Sequence, residues 1–520
     1  MVTALSLLAW GLWIAQEVEA AEAAKAAESV AGALDARVNE ALSPAEKSEV
    51  RGEALVQQLV GRLLGSTPLE SDLQELTDEI GGRPTGSAAN LEAVEWAVER
   101  FQEAGVEVRR EAFTMPALWL EGWASARVVG DVELVPRVAA MPFSAGTPEG
   151  GLEAPLVLLG EGGEADFDSL GERARGAFLL AETELLGDLD DLFAFFPRLR
   201  QVEDRALEAG ALGIVWISGR PSGQLYRLPT FRGEENPLIL LAVERDSGTR
   251  LARLLRNQRR LRLRAEVSVD SGGSFTSYNV VAEIPGSAPP EEREVVVVGA
   301  HLDSWDLGTG ALDNGANVAL VIDVARQMRA LGLQPRRTIR FALWNGEEQG
   351  FFGSWGYVKE HAAELDRHVM ASSYDIGSGR ISGFFTGGRP AVAQTVERAL
   401  ESVAALGPFT IVDAPVVGTD NYDFMLQGIG NLVALQESAN YAPNYHAGSD
   451  TFDKVDLRQV HLNAAIAAAV TWAFANEPLD YQRQSAEEVE ALVEGSDLGT
   501  QMRNFFLYEG WRLGERGLLP

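Results

Sequence analysis

Apolar and polar positions change rhythm several times along the chain. Residues 20–66 are rich in Ala, Glu and Leu and read as helix. Ser43, Pro44 and Glu46 mark a fresh helix start there: a capping serine, proline at the first helical position and glutamate at the third. Residues 91–104 carry a second helical pattern, ended by Gly105 and followed by a strand-like 106–113. From about 126 to 270 the pattern becomes short apolar runs, at 156–159, 176–181, 213–218 and 238–243. Gly- and Pro-containing turns separate them, with one helical stretch at 202–209, and the region reads as an inserted, mostly β domain. From about 276 onward strands alternate with helices. The strands are 295–298, 338–344, 368–374 and 431–435; the helices are 318–331, 353–365, 391–406 and 456–475. That alternation argues for an α/β sheet with helices on its faces.

At 520 residues the chain exceeds what one hydrophobic core organises, so two or three domains are expected. A formal net charge of -32 repels nucleic acid and anionic membranes, and reads as a solubility property. The absence of cysteine excludes disulfides, a thiol nucleophile and any thiolate metal site. The apolar stretch 4–15 is too short to span a bilayer as a helix. It resembles a signal-peptide core, with Val18, Glu19 and Ala20 as a cleavage motif, although a basic segment before it is missing. Export to a periplasmic or extracellular location is the expectation, with no stable membrane insertion.

Only five histidines occur: His301, His361, His368, His446 and His461. His301 closes the Val-rich run, and His446 lies in a loop close to Asp450. Asp313 sits in a Gly-rich stretch, 308–315. Glu347 and Glu348 follow the run that ends at Trp344, and Asp375 follows the run through Ser373. Each lies just past the carboxyl end of a strand or just before a helix, the edge of an open α/β sheet where ligands gather. Imidazole and carboxylate donors without thiolate suit zinc at an open, catalytic site. Two histidines and three carboxylates suffice for a metal pair if one carboxylate bridges. The remaining carboxylate, Glu347, is then free to take the proton of a metal-bound water. Taken singly, none of these residues is informative; the ordered set is. His361 and His368 read as surface or packing residues, and His461 as structural.

These residues resemble the co-catalytic two-zinc exopeptidase family that includes leucyl-type aminopeptidases and glutamate carboxypeptidases, and within it the plasma glutamate carboxypeptidase branch. The resemblance rests on 80–87 with Trp96, 300–306, 310–315, 345–350, and Tyr445 and His446 followed by 450–453. It implies an α/β fold with a mixed-sheet zinc exopeptidase domain, formed by 67–125 and 276–485. A protease-associated insert would occupy 126–275, where 206–215 is typical of such domains. An N-terminal helical segment, 21–66, would follow the signal sequence 1–20, and a helical tail or dimer contact would occupy 486–520. The resemblance implies two Zn²⁺ per chain, one on His301, Asp313 and Asp375, the other on Asp313, Glu348 and His446. Asp313 would bridge, with a cis peptide to Asn314. Glu347 would be the base, Tyr445 would help hold the tetrahedral intermediate, and Asp303 would fix the tautomer of His301. One departure stands out: 418–423 has Asn421 where many relatives have histidine, in a loop that faces substrate.

The activity implied is hydrolysis of short peptides or dipeptides at a chain end. An aminopeptidase uses the same metals and differs in which terminus is held. A glutaminyl cyclase would bind one zinc. A non-catalytic binding module would have lost ligands, whereas all five and Glu347 are present here.

Overall fold

The computed structural model describes residues 44–228 and 235–517. The apolar stretch 4–15, the cleavage motif 18–20 and the helical reading of 21–43 lie outside the described residues. The chain divides into a short unit, 1–58, and a large one, 59–520. Helix Pro44–Leu63 begins where the Ser43 and Pro44 signal places it.

In chain order the strands of the large unit are β1 (Glu107–Met115), β2 (Leu118–Gly130), β3 (Val138–Ala140), β4 (Leu152–Gly160), β5 (Phe178–Ala181), β6 (Gly213–Ile217), β7 (Ile239–Val243), β8 (Leu261–Gly272) and β9 (Phe275–Ile284). There follow β10 (Val295–His301), β11 (Thr338–Trp344), β12 (His368–Ser373), β13 (Ile381–Phe385), β14 (Thr410–Val412) and β15 (Gly430–Gln436). They form two mixed sheets. The first has the order β1-β9-β11-β10-β12-β15-β13-β14, with β11, β10, β12 and β15 mutually parallel at its centre. The second has the order β2-β8-β4-β5-β6-β7-β3. The chain leaves the first sheet after Met115, builds the whole second sheet, and rejoins the first at Phe275.

The centre of the first sheet is legible as physics. Every residue of β10 and of β11 is buried. A parallel strand covered on both faces reads as a continuous apolar run rather than an alternating one. Each buried Val or Leu there contributes roughly 1.5–3 kcal/mol. Helices Ala316–Ala330 and Leu457–Asn476, both largely buried, pack against β10 and β11. Helix Phe352–Glu360 brings Tyr357 to Trp344, with ring centroids 5.2 Å apart. Gly299 has no room for a side chain, because a Cβ there would lie 2.4 Å from Nε1 of Trp344.

The second sheet is richer in helix than its sequence pattern suggests. It is accompanied by helices Glu164–Leu170, Leu189–Glu208 and Arg245–Arg256. The first half of helix Leu189–Glu208 is obscured in the sequence by its aspartates and by Pro197. Yet Leu192, Phe195, Phe196, Leu199, Val202 and Ala206 form one buried stripe at helical spacing. In the C-terminal region, helix Ala486–Gly495 and helix Leu498–Asn504 pack back on this chain, where Phe505 meets Phe193 and Phe351. No helix among the described residues is long and apolar enough to cross a membrane.

Candidate metal centre

The parallel core of the first sheet delivers its polar residues to one edge. His301 is the last residue of β10. Glu347 and Glu348 follow β11, and Asp375 follows β12. Asp313 lies in the turn Ala311–Gly315 that leads into helix Ala316–Ala330, and its peptide to Asn314 is cis. His446 follows the short helix Tyr441–Asn444, after β15.

These residues converge. Nε2 of His301 lies 3.1 Å from Oδ1 of Asp313 and 2.9 Å from Oδ1 of Asp375. Nε2 of His446 lies 3.3 Å from Oδ2 of Asp313 and 2.9 Å from Oε2 of Glu348. The result is two buried triads, His301, Asp313, Asp375 and Asp313, Glu348, His446, each with donor atoms within 4.8 Å of one another, and Asp313 common to both. Glu347 is buried beside them. The other three histidines are elsewhere: His361 against Glu111 and Glu364, His368 against Tyr357, and His461 on the carbonyl of Leu63.

The backbone around the triads fixes their orientation. Nδ1–H of His301 donates to the carbonyl of Asp303 at 3.0 Å, and Nδ1–H of His446 donates to the carbonyl of Arg227 at 2.9 Å. With both Nδ1 atoms so engaged, each Nε2 is the ring nitrogen that faces the carboxylates. The partner of His301 is therefore the main chain of Asp303 rather than its carboxylate, whose nearer oxygen lies 3.6 Å away. That carboxylate instead accepts from the Thr85 hydroxyl at 2.8 Å and from the amide of Gly346 at 3.1 Å. It thereby ties the segment 80–87 to the turn before Glu347. The ring of Tyr445 stacks on His446, with centroids 3.6 Å apart.

The electrostatics call for a cation. Burial pushes the Glu348 carboxyl up to about 7, helped by Asp313 and opposed by His446. Burial also drives Glu347 well above the usual carboxylate range, and lifts Asp375. Burial alone would lower His446, but Glu348 and Asp313 raise it to about 9. Asp313, opposed by burial, is held well below its ordinary value by hydrogen bonds to the two imidazoles. Oδ2 of Asp313 and Oε1 of Glu348 lack a hydrogen-bond partner among the described residues. Carboxylates with orphaned buried oxygens, grouped with two imidazoles that turn Nε2 toward them, form a donor set that fits divalent zinc.

Several residues around the site have parts that the sequence does not reveal. Asp450 accepts from the amides of Ala311, Leu312 and Asp313, at 3.1, 2.6 and 3.1 Å, and so shapes the turn that presents Asp313. Arg83 is fully buried and donates to the carbonyls of Leu302, Thr309 and Gly310, which holds together the loops after His301 and before Asp313. Asp420 is buried with neither carboxylate oxygen partnered among the described residues. Asp450 and Asp420 lie in sequence runs noted above, but nothing in those runs distinguishes an anchor of backbone amides from a surface carboxylate.

Comparison with known proteins bears on this arrangement. The sequence profile described as peptidase family M28 matches residues 279–471. Carboxypeptidase Q from Mus musculus is 28% identical over 419 residues, covering 77% of this chain and 84% of that protein. The crystal structure of a peptidase M28 precursor from Shewanella amazonensis superposes with a TM-score of 0.73 at 29% identity, covering 84% of this chain and 99% of that one. A zinc aminopeptidase from Bacillus subtilis shares the fold, with a TM-score of 0.62 at 20% identity over 79% of this chain and 95% of that one.

Proposed function

We propose that this chain, a metallopeptidase whose residues 279–471 match the profile of peptidase family M28, is a two-zinc exopeptidase or dipeptidase acting at the chain ends of short peptides. The observation that carries this reading is the pair of buried triads sharing Asp313. His301, Asp313 and Asp375 would hold one zinc ion, and Asp313, Glu348 and His446 the other. A zinc pair bound there supplies a Lewis acid for the scissile carbonyl and lowers the pKa of the attacking water. Glu347 takes the proton of that water as its oxygen adds to the carbonyl carbon, then passes it to the amine nitrogen as the C–N bond breaks. Burial and the surrounding carboxylates keep the Tyr445 hydroxyl protonated, so it can donate to the oxyanion. Residues 126–275, read as a protease-associated insert, would narrow access so that only short peptides enter. Export fits the apolar stretch 4–15.

An aminopeptidase is the second reading, and one observation favours it. Asp420 and Glu347 are buried carboxylates in one corner, where Asp420 adds to the effect of burial in raising Glu347. A free α-ammonium is the substrate group such a corner would accept. The test is a panel of free dipeptides, N-blocked dipeptides and C-amidated peptides with the zinc-loaded protein. Cleavage of N-blocked but not C-amidated peptides supports a carboxypeptidase, and the converse an aminopeptidase. Cleavage of free dipeptides alone supports a dipeptidase, and efficient cleavage of internal bonds in large proteins would refute the exopeptidase reading.

A further inference from the structure

His446 does not hold its position by its own sheet. Its φ is 54°, in the left-handed region that residues with a Cβ rarely adopt, so neighbouring contacts must hold it. Those contacts come from the second sheet. The loop that follows β6 lies alongside the His446 segment as a short antiparallel ladder. The amide of Arg227 donates to the carbonyl of His446 at 3.1 Å, and the amide of Gly448 donates to the carbonyl of Leu225 at 3.1 Å. Tyr226 and Ala447 form an antiparallel bridge between these bonds. Arg220 reaches the carbonyl of Tyr445 at 3.1 Å. The imidazole Nδ1–H of His446 closes the set on the carbonyl of Arg227.

The Arg227 side chain fixes that carbonyl in space. It is 1% exposed and bridges three places in the fold. Its guanidinium forks onto Asp306, five residues beyond His301, with Nη2 at 3.0 Å from Oδ2. Nη1 donates to Glu121 of β2 at 2.9 Å and also to the carbonyl of Ala140, at the end of β3. One residue thus ties the second sheet to the loop that follows His301 and to the segment that carries His446. A bidentate guanidinium–carboxylate pair sets direction as well as charge, which an ammonium cannot reproduce.

We propose that Arg227 is a positioning residue for His446, so that the second sheet sets the affinity of the Asp313, Glu348, His446 triad for its metal. This rests on the two-zinc reading above. It assigns the second sheet a part in building the site in addition to restricting access. The mechanism is indirect: the guanidinium anchors the Arg227 backbone, whose carbonyl fixes the tautomer and ring plane of His446.

The test compares Arg227→Lys with Arg340→Lys, titrating apoprotein with zinc against a chromophoric chelator. Arg340 is a buried arginine paired with Glu283 and Glu364 and not with any residue of the two triads. Loss of either fork should lower the unfolding midpoint. Only Arg227→Lys should split the titration, leaving one equivalent at wild-type affinity and weakening the other by about 10–100-fold, the usual cost of disturbing the partner of a ligating histidine. Cobalt substitution adds a spectroscopic readout, in which the absorption of one ion changes and that of the other does not. Should Arg227→Lys fail to fold, Glu121→Gln, which keeps the Asp306 fork, should show the same split in smaller measure. Wild-type affinity for both equivalents in whichever of these variants folds would overturn the proposal, as would an equal weakening in Arg340→Lys. Fewer than two equivalents on the wild-type chain would overturn the two-zinc reading itself, and this inference with it.

Discussion

Replacing Arg516 by alanine should destabilise the protein by several kcal/mol. Its Nε and Nη2 donate to both oxygens of Asp423, at 2.8 and 2.6 Å. Nη1 and Nη2 also donate to the carbonyls of Gly350 and Phe351, at 2.8 and 3.1 Å. Those two residues have amides that donate to the carbonyl of Glu347, so Arg516 braces the turn that carries the glutamate pair. Asp423 is fully buried, and without Arg516 its carboxylate keeps the Ser354 hydroxyl at 2.9 Å as its one remaining hydrogen bond among those described. Breaking a buried pair by removing one partner costs about 3–5 kcal/mol, chiefly from the charge left behind. Unfolding entropy is roughly 2 cal/mol/K per residue, so for a unit of several hundred residues the midpoint should fall by roughly 3–5 °C. The assay is thermal unfolding at a fixed scan rate. It should include Arg516→Ala, Asp423→Asn and the double variant. Most of the loss should be recovered in the double variant, because asparagine removes the stranded charge. A midpoint for Arg516→Ala within about 1 °C of wild type would refute the reasoning, as would a double variant no more stable than Arg516→Ala.

Two further predictions concern the surroundings of the site. Burial, with the Arg340 charge, lowers His368 to about 3 despite a hydrogen bond to the carbonyl of Glu364. The unfolded chain binds a proton there near pH 6.5 and the folded chain does not, so stability falls with pH between about 6.5 and 3, by up to about 1.4 kcal/mol per unit. His368→Gln should flatten that part of the melting-point profile and leave its slope above pH 7 unchanged; an unaltered acid slope would contradict this. Asp450→Ala removes the acceptor of three amides around Asp313. It should weaken zinc binding at least about 10-fold in a chelator competition, and wild-type affinity would count against it.

Much of the first sheet was legible because its parallel strands are covered on both faces. The Val-rich run of β10 and the apolar run of β11 needed no tertiary information. Among the candidate ligands, His301 closes such a run and Glu348 and Asp375 each follow one, whereas Asp313 and His446 stood out only as members of the ordered set. The second sheet was less so. In β8, outward Arg262, Arg264 and Glu266 alternate with buried Leu261, Leu263 and Ala265, which dilutes the apolar signal. Helix Arg245–Arg256 is similarly masked by its many arginines. What the sequence could not reveal is which polar groups meet main chain. Asp303 serves His301 through its carbonyl. Arg83, Arg227 and Arg516 reach carbonyls brought in from distant parts of the chain, and arginine has no periodic signature. The chain has four lysines among its 44 basic residues, so an arginine at a given position is unremarkable in composition.

The central claim is that five side chains hold two ions while a sixth, Glu347, acts on the water. It is tested most directly by zinc content per chain, measured alongside turnover, in wild type, Glu347→Gln and Glu348→Ala. The account predicts two ions in the wild type. Glu347→Gln should also hold two, with turnover lower by a factor on the order of 10²–10⁴. Glu348→Ala should lose the ion held by Asp313, Glu348 and His446, and activity with it. Two ions retained in Glu348→Ala, together with an active Glu347→Gln, would contradict the account.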